Sequence, residues 1–246
     1  MAYALVDYDT LDNTIDEARR LVSLGRRPSF IVSTAQQLDG RGRHKREWFS
    51  PRGNIAITIV AALESSRAEI QTLSLVTGLA VYDAVAPLLP QEVHLKIKWP
   101  NDLLVDDAKL SGTLLLMEDE LLYVGIGLNL VEAPQLEYPT AALKRYGQFD
   151  RIDLVKAIGT AWEARFKNWL EAGFGPSLAQ FNDRLWGLGC KLVVTDIETS
   201  GLQNTGTCKG VTERGFLKLE MGDGTTREFS TGDVRSVRRQ GITSIE

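Results

Sequence analysis

The chain has 246 residues, is 43% apolar and 24% charged, and carries a formal net charge of −4, values typical of a globular protein with a sizeable core. A slightly acidic chain lacks the broad basic surface that wholesale nucleic-acid binding requires. Two cysteines without a CxxC pair, together with only two histidines, argue against a structural zinc site and favour a reducing, cytoplasmic setting.

The start of the chain predicts no targeting segment. MAYALVDYDTLD has no basic stretch followed by an apolar core, so we expect no signal peptide, and no apolar run approaches the length of a membrane span. Residues 4–6 predict a short strand, and Asp12 or Asn13 can cap a helix that ends near Gly25. The β-branched segments SFIVSTAQ and GNIAITIV predict two further strands with a basic loop between them.

The middle of the chain predicts helices that flank a sheet. A long helical pattern covers residues 68–86, and the prolines that follow end it. HLKIKWP alternates like a strand with Trp99 on its apolar face, while KLSGTLLLM and LLYVGIGLNL predict a hairpin across residues 118–120. Apolar residues at steps of three and four predict an amphipathic helix over 154–169 and a second helix over 176–188.

From Gly189 onward the chain changes to short strand candidates separated by Gly- and Asp-rich turns. The five candidates are KLVVTDI, GTCKGV, GFLKLEM, TREFS and DVRSVRR, a pattern typical of a small SH3-like β-barrel. The expected fold is therefore α+β. A mixed sheet flanked by helices occupies residues 1–188, and a small C-terminal β domain occupies residues 189–246.

The loop GRGRHKREWFSPRGN, residues 40–54, is the most unusual segment of this acidic chain. Glycines punctuate its five Arg and Lys residues, and the ring pair Trp48 and Phe49 follows the basic run. Glycine lets a backbone approach a ligand closely, and guanidinium groups bind phosphates in forked pairs. The loop therefore favours a polyphosphate with a base stacked beside it, although a solvated basic hairpin has the same composition.

Further motifs accompany this loop in a fixed order. KWPND (98–102), KLSG (109–112) and GIGLN (125–129) follow QLDGRGR (37–43) and DNTIDEA (12–18). In this order they closely resemble the motifs of the biotin–protein ligases, over essentially the whole chain, whereas any one motif alone is weak evidence. The resemblance implies a class II synthetase-like ligase domain. It also implies an enzyme that activates biotin with ATP and Mg²⁺ and transfers it from biotinoyl-5'-AMP to a lysine of a biotin carboxyl carrier protein.

The resemblance also implies which residues bind each substrate. For biotin it implies polar side chains and close-approach glycines, namely Asn13, Thr14, Gln37, Gly40, Arg41, Gly42, Arg43, Lys109, Gly112, Gly125 and Gly127. For ATP it implies Arg43, Arg46, Trp48, Phe49, Asn101, Asp102, Lys109 and Asn129. Lys109 resembles the lysine that contacts the biotin carboxylate and the reacting phosphate, and with Arg41 and Arg43 it forms the implied catalytic set. The metal ligands stay open, although Asn101 and Asp102 are expected beside the nucleotide and its metal.

The chemistry of such an enzyme explains these residue types. Biotin's carboxylate must attack the α-phosphate of ATP, and two like charges about 4 Å apart repel by about 4 kcal/mol at an effective dielectric near 20. A lysine and two arginines offset that repulsion and stabilise the charge of the transition state, and Mg²⁺ does the same for the pyrophosphate. No side-chain nucleophile is required, and an ordered loop protects the mixed anhydride from water.

The first motif departs from the family pattern at two positions. It reads Asp12-Asn13-Thr14-Ile15, where the family has a serine at the second position and an amide at the fourth. Asn13 still donates and accepts hydrogen bonds, whereas the Ile15 side chain does neither. Two alternatives therefore stay open: a ligase or transferase for another acid such as lipoate or octanoate, and a non-catalytic protein that holds a biotin-like ligand.

Other functional questions depend on the length of the chain and on its surfaces. A DNA-binding repressor is not expected, because the first motif begins at residue 12 and leaves no room for a helix-turn-helix domain. Binding to DNA or to a membrane is likewise not expected. The identity of the carrier protein and the formation of a homodimer through sheet edges are left open by the sequence.

Overall fold

The computed structural model describes residues 3–63, 69–195 and 201–237, apart from the side chain of Lys45. Its helices and strands are β1 Ala4–Leu11, α1 Thr14–Ser23, β2 Phe30–Gln37, β3 Ile55–Ala62, α2 Leu73–Val85, β4 Leu95–Lys98, β5 Asp102–Val105, β6 Ala108–Glu118, β7 Leu121–Leu128, α3 Arg151–Ala172, α4 Leu178–Arg184, β8 Lys191–Thr195, β9 Gln203–Val211, β10 Leu217–Met221, β11 Thr226–Phe229 and β12 Asp233–Ser236. Within these residues no helix has the length and hydropathy of a membrane span.

A seven-stranded mixed sheet forms the larger part of the protein. Its strand order is β1-β2-β3-β7-β6-β5-β4, with β1 and β2 parallel and the other neighbouring pairs antiparallel. A parallel pair needs a crossover connection, and α1 supplies it. The predicted β6–β7 hairpin is confirmed and lies between β3 and β5. The KWPND and GIGLN motifs therefore lie close together in the sheet.

Period-two alternation in β2 and β3 separates their apolar residues onto the two faces of the sheet. Ile31, Ile57 and Ile59 belong to the main core cluster, which includes the apolar faces of α2 and α3. Phe30 and Val32 belong to a smaller cluster that packs against α1 on the other face. The sheet is thus covered by helices on both sides, as the sequence predicts.

The amphipathic helix predicted over 154–169 is confirmed as α3, and its aromatic stripe is buried. Trp162 stacks on Phe166 with ring centroids 4.5 Å apart. The indole N–H of Trp162 donates to the Thr77 hydroxyl at 3.3 Å, so this large aromatic side chain has a partner for its polar group. This hydrogen bond joins α3 to α2.

Two predicted helices are shorter in the structure. The pattern over 68–86 forms α2 with a 3-10 turn on each side, and the first residue of that range lies outside the described part of the chain. The helix predicted over 176–188 is present only as α4, which ends at Arg184. It ends there because Leu185 has an extended backbone and the Trp186 N–H donates to the Ile97 carbonyl at 2.8 Å. Leu188, the last residue of the predicted range, is 46% exposed.

The C-terminal segment forms a five-stranded antiparallel sheet in the order β11-β10-β9-β8-β12. All five predicted strands are present, although the predicted strand residues 196–197 and 238–239 lie outside the described ranges. Among the described residues no pairing between the two edge strands closes this sheet into a barrel. The two cysteines, Cys190 and Cys208, are free thiols.

The two sheets share one hydrophobic core. Val194, Leu217 and Leu219 of the smaller sheet belong to the same buried cluster as α2 and α3. The Trp99 side chain, confirmed as a core residue, donates its indole N–H to the Gly215 carbonyl at 2.9 Å. The change of sheet falls between α4 and β8, where the sequence places its domain boundary, and the division into two domains stays a prediction.

Candidate functional site

A cavity of about 320 Å³ opens between the basic loop, strands β6 and β7, and the segment 131–140. The residues predicted from the motifs converge on it. Those that line it are Asn13, Thr14, Gln37, Arg41, Gly42, Arg43, Arg46, Trp48, Phe49, Asn101, Asp102, Lys109, Gly112, Gly125, Gly127 and Asn129. Gly40 is the predicted site residue that does not line the cavity. The role of each residue stays a prediction.

The loop between β2 and β3 folds back on itself as an irregular hairpin. The Gly42 N–H donates to the Arg46 carbonyl at 2.7 Å, and the Trp48 N–H donates to the Gly40 carbonyl at 2.8 Å. A Cβ at Gly40 would lie 2.2 Å from the Trp48 carbonyl oxygen, so the two sides of the loop can meet only with glycine there. Gly40 therefore contributes to the cavity by shaping the loop that lines it.

The indole of Trp48 lies against a floor of glycines. Gly112 and Gly127 are direct cross-strand partners in β6 and β7. A Cβ at Gly127 would lie 2.2 Å from Trp48 Cε2, and a Cβ at Gly112 would lie 3.2 Å from Trp48 Cζ3. These glycines were predicted to let a ligand approach the backbone closely. In the structure the Trp48 ring makes that approach, and the ring forms a wall of the cavity.

Three of the four loop arginines belong to the predicted site, and they point to different partners. Arg41 pairs with Asp39 beside it and reaches Asp16 of α1 at 3.5 Å. Arg43 donates to Asn101 Oδ1 at 3.3 Å and to the Thr231 hydroxyl, in the turn before β12, at 3.5 Å. Of these two arginines, Arg43 therefore lies on the KWPND side of the cavity, whereas Arg41 is directed toward the carboxylates of Asp39 and Asp16.

The third arginine, Arg46, bonds to the carboxylate of Asp233, the first residue of β12 in the C-terminal sheet. Burial acts to raise the pKa of Asp233, but the hydrogen bond and charge of Arg46 outweigh it, so the pKa lies below its ordinary value. The carboxylate is therefore ionised at neutral pH. It holds one side of the loop against the smaller sheet.

A β-bulge brings Lys109 to the cavity. Residues three apart in a regular strand face opposite sides of the sheet, so KLSG would separate Lys109 from Gly112. In the β5–β6 pairing, Asp102 faces Gly112 and Leu104 faces Lys109, which leaves Leu110 as an extra residue. This bulge places Lys109 and Gly112 on the same cavity-facing side.

The Lys109 side chain meets Asp102 and Trp48. Its ammonium lies 2.8 Å from Asp102 Oδ1, and both side chains are less than one-fifth exposed. The same ammonium lies 5.5 Å from the centre of the Trp48 ring. The position of the Lys109 ammonium in the cavity is therefore set by a carboxylate and a ring.

The backbone of Lys109 is held from the neighbouring segments. Its N–H donates to the Pro139 carbonyl at 2.8 Å, and its carbonyl accepts from the Ala141 N–H at 3.0 Å. The side-chain amide of Asn129 donates to the carbonyls of Lys109 at 3.4 Å and of Ala141 at 3.2 Å. Asn129 is buried, and its Oδ1 has no hydrogen-bond partner among the described residues. An acceptor is therefore left for a ligand that donates a hydrogen bond.

A second group of polar side chains lies where α1 meets β2. Gln37 Oε1 accepts from the Thr14 N–H at 2.8 Å and from the Thr14 hydroxyl at 3.1 Å, and the Thr58 hydroxyl donates to the Thr14 hydroxyl at 2.9 Å. The Gln37 carbonyl group is thereby fixed, and its Nε2 can donate to a ligand. Thr14 and Gln37 form a preorganised polar end of the cavity.

The two positions that depart from the motif have separate uses. Asn13 caps α1, as predicted, by accepting from the N–H groups of Ile15 and Asp16, and its Nδ2 donates to the Asp39 carbonyl at 2.7 Å. Ile15 is buried, and a Cβ at Gly125 would lie 3.2 Å from its Cδ1. Ile15 therefore fills the space above this glycine with an apolar wall.

The sequence pattern of the Biotin/lipoate A/B protein ligase family matches residues 10–129. A Biotin--[acetyl-CoA-carboxylase] ligase of Mycobacterium tuberculosis is 34% identical over 218 residues, which cover 85% of this chain and 79% of that protein. A protein of the same name from Paracoccus denitrificans is 30% identical over 224 residues, covering 85% of this chain and 90% of that protein. The chain belongs to the biotin/lipoate protein ligase family.

Solved structures agree with this family assignment at the level of the fold. A biotin protein ligase from Aquifex aeolicus, solved in complex with biotin and ATP, superimposes with a TM-score of 0.83 at 23% identity. The match covers 95% of this chain and 99% of that chain. Both sheets of this ligase-family protein thus belong to the shared architecture.

Sequence reasoning missed several cavity residues of this ligase-family protein. Asp233 of β12 lines the cavity and bonds to Arg46 of the basic loop, and Thr231, just before β12, bonds to Arg43. Leu136 and Tyr138 line the opposite wall. The Gly-Asp pair at the start of β12 predicts a tight turn. Nothing in this local pattern indicates that the Asp side chain contacts a loop almost 190 residues away in sequence.

Proposed function

We propose that this protein activates biotin with ATP to biotinoyl-5'-AMP and transfers the biotinoyl group to a lysine of a biotin carboxyl carrier protein. One observation carries the proposal: a single cavity joins the Thr14–Gln37 hydrogen-bonding pair to the Lys109 ammonium and the basic loop. The first end suits a cyclic urea, and the second suits a carboxylate that meets phosphates. The names of the relatives that are at least 30% identical support the same activity.

For biotin, the polar end recognises the ureido ring and the Trp48 wall of the cavity accommodates the aliphatic chain. Thr14 supplies a hydroxyl and Gln37 supplies amide donors to the ureido group. The Trp48 ring itself lies against Gly112 and Gly127, so the aliphatic chain runs along the cavity side of this ring, which shields the chain from water. The carboxylate then comes to the Lys109 ammonium.

In the first step a carboxylate oxygen of biotin attacks the α-phosphorus of ATP, and the bond to the bridging oxygen breaks as pyrophosphate leaves. Lys109 neutralises the approaching carboxylate, and Arg43 and Arg46 bind the phosphate oxygens on which charge develops. Asp102 keeps the Lys109 ammonium in position through their 2.8 Å contact. In the second step the carrier lysine attacks the acyl carbon and AMP leaves.

Magnesium fits this cavity as an ion that accompanies ATP. Mg²⁺ commonly uses one or two carboxylates together with phosphate oxygens and water, and Asp102 is a carboxylate of the cavity. Within the described residues no group of three or more His, Cys, Asp or Glu side chains forms a protein cage. Asp102 would therefore hold the ion together with the phosphates, where Mg²⁺ supplies positive charge to the leaving pyrophosphate.

The proposal is tested by biotin-dependent exchange of labelled pyrophosphate into ATP, with Lys109→Ala as the site variant. Loss of a charge that stabilises a transition state lowers such rates by about 10²–10³-fold. Lys96→Ala is the matched control, because the Lys96 ammonium bonds to the Asp183 carbonyl away from the cavity. Transfer of labelled biotin to a carrier domain, and its loss when the carrier lysine is replaced by arginine, tests the second step.

Three outcomes are informative. Exchange that requires biotin and collapses in Lys109→Ala alone supports the proposal. Exchange with lipoate or octanoate, but not with biotin, would mean that the protein activates a different acid and that the apolar wall at Ile15 selects it. Binding of biotin without exchange for any acid would make the protein a non-catalytic binder.

A further inference from the structure

The segment 131–140, hereafter the wall loop, forms the side of the cavity that faces the basic loop. Pro134, Leu136, Tyr138 and Thr140 line the cavity from it, yet it contains no helix or strand of its own. A connection of this kind holds one position only when other groups fix its ends. The position of this wall therefore depends on the contacts at its two ends.

The far end of the wall loop is fixed by the strand that carries Lys109. The Lys109 backbone bonds to Pro139 and Ala141 at 2.8 and 3.0 Å. The Thr140 hydroxyl also bonds to the Pro134 carbonyl, across the loop. This end is thus tied to the predicted catalytic lysine.

The near end is fixed by a side chain outside the cavity. Asn54 Oδ1 accepts from the Val131 N–H at 2.8 Å and from the Glu132 N–H at 3.0 Å. Asn54 Nδ2 donates to the Glu132 carbonyl at 2.7 Å. The residue is 1% exposed, so three backbone groups of the wall loop are paired by one buried amide.

The position of Asn54 in the chain links the two walls of the cavity. Asn54 is the last residue of the basic loop, and its N–H donates to the Pro51 carbonyl at 3.1 Å. At the neighbouring Gly53, φ is +94° and a Cβ would lie 2.8 Å from Val131 Cγ2, so glycine permits the close approach of the two segments. The end of the basic loop and the start of the wall loop are therefore packed together.

We propose that Asn54 is a positioning residue for the nucleotide, acting through the wall loop without touching a substrate. This inference rests on the proposed function. The wall loop faces the basic loop, whose Arg46, Trp48 and Phe49 belong to the predicted ATP set alone. Lys109, which it adjoins, belongs to both sets, whereas Thr14 and Gln37 at the biotin end lie on α1 and β2. Displacement of the wall loop should therefore weaken nucleotide binding more than biotin binding.

The test compares Asn54→Ala, Asn54→Asp and a matched control. Asn54→Ala removes all three hydrogen bonds, whereas Asn54→Asp keeps an acceptor for the two N–H groups and sets a carboxylate oxygen against the Glu132 carbonyl. Thr77→Val is the control, because it also leaves a buried N–H, that of Trp162, without its hydroxyl partner. The Thr77 side chain lies between α2 and α3, away from the cavity.

Binding of a non-hydrolysable ATP analogue and of biotin is measured separately by calorimetry, together with KM for ATP and kcat in pyrophosphate exchange. We expect both Asn54 variants to weaken analogue binding and to raise KM for ATP on the order of tenfold or more. Their biotin affinity and kcat at saturating ATP should stay within about threefold of the wild type. Thr77→Val should lower thermal stability and leave both affinities unchanged.

Different failures are distinguishable. The positioning role would be overturned if the Asn54 variants lost analogue and biotin affinity equally, or lost neither. Biotin-dependent exchange by the wild type would still uphold the proposed function in that case. If Asn54→Ala does not fold, Asn54→Asp decides by the same comparison. Analogue binding by a wild type that shows no exchange would sink the proposed activity, and the affinities of the Asn54 variants would still decide this inference.

Discussion

Replacement of Gly127 by alanine tests whether the glycine floor exists to seat the Trp48 ring. The added Cβ would lie 2.2 Å from Trp48 Cε2 and 2.3 Å from Nε1. Carbon atoms approach favourably at about 3.5–4.0 Å, so the ring must retreat by about 1.3 Å or more. At Gly112 the added Cβ would lie 3.2 Å from Trp48 Cζ3, and a shift of a few tenths of an ångström is enough.

The two variants should therefore differ in activity. An aromatic side chain buries about 150–250 Å², and loss of about 100 Å² at about 25 cal/mol per Å² is about 2.5 kcal/mol, or about 70-fold in kcat/KM. For Gly112→Ala we expect a loss below about fivefold, because most of the ring contact is retained. Neither change should unfold the sheet, since alanine in a strand is favoured over glycine by about 0.5–1 kcal/mol.

The measurement is kcat/KM for biotin in pyrophosphate exchange, with a Trp48→Phe protein as the reference for a changed ring. Indole fluorescence, compared with the same reference, reports whether the ring has moved. Equal activities for Gly127→Ala and Gly112→Ala, or full activity of Gly127→Ala with unchanged fluorescence, would refute the argument. In that case the floor glycines would be needed for a different reason than ring contact.

Two further predictions concern stability and protonation. Trp99→Phe removes the 2.9 Å indole hydrogen bond between the two sheets and should lower the free energy of unfolding by about 2–3 kcal/mol in urea denaturation; a loss below about 0.5 kcal/mol would contradict it. The hydrogen bond from Arg52 lowers the pKa of Asp9 from 3.8 to about 2. Stabilisation by this pair is therefore present above pH 3.8 and lost as the pH falls through about 2. Arg52→Gln should return the NMR titration midpoint of Asp9 toward 3.8.

The sequence by itself determined most of the secondary structure and the membership of the cavity. The alternation of β2, β3, β6 and β7, the cap at Asn13 and the stripe of α3 depend on residues close in sequence. The site motifs are short and carry their own residue types, so Gln37, Arg43 and Lys109 could be selected without coordinates. Local patterns were sufficient wherever the deciding interactions were local.

Tertiary structure decided the features that depend on distant partners. The bulge that turns Lys109 toward Gly112 is set by pairing with β5, and α4 ends where the chain pairs with Ile97. The contact of Asp233 with the basic loop and the hold of Asn54 on the wall loop join segments far apart in sequence. No periodicity or local propensity encodes such pairs, because their energies arise only when the folded chain brings the two partners together.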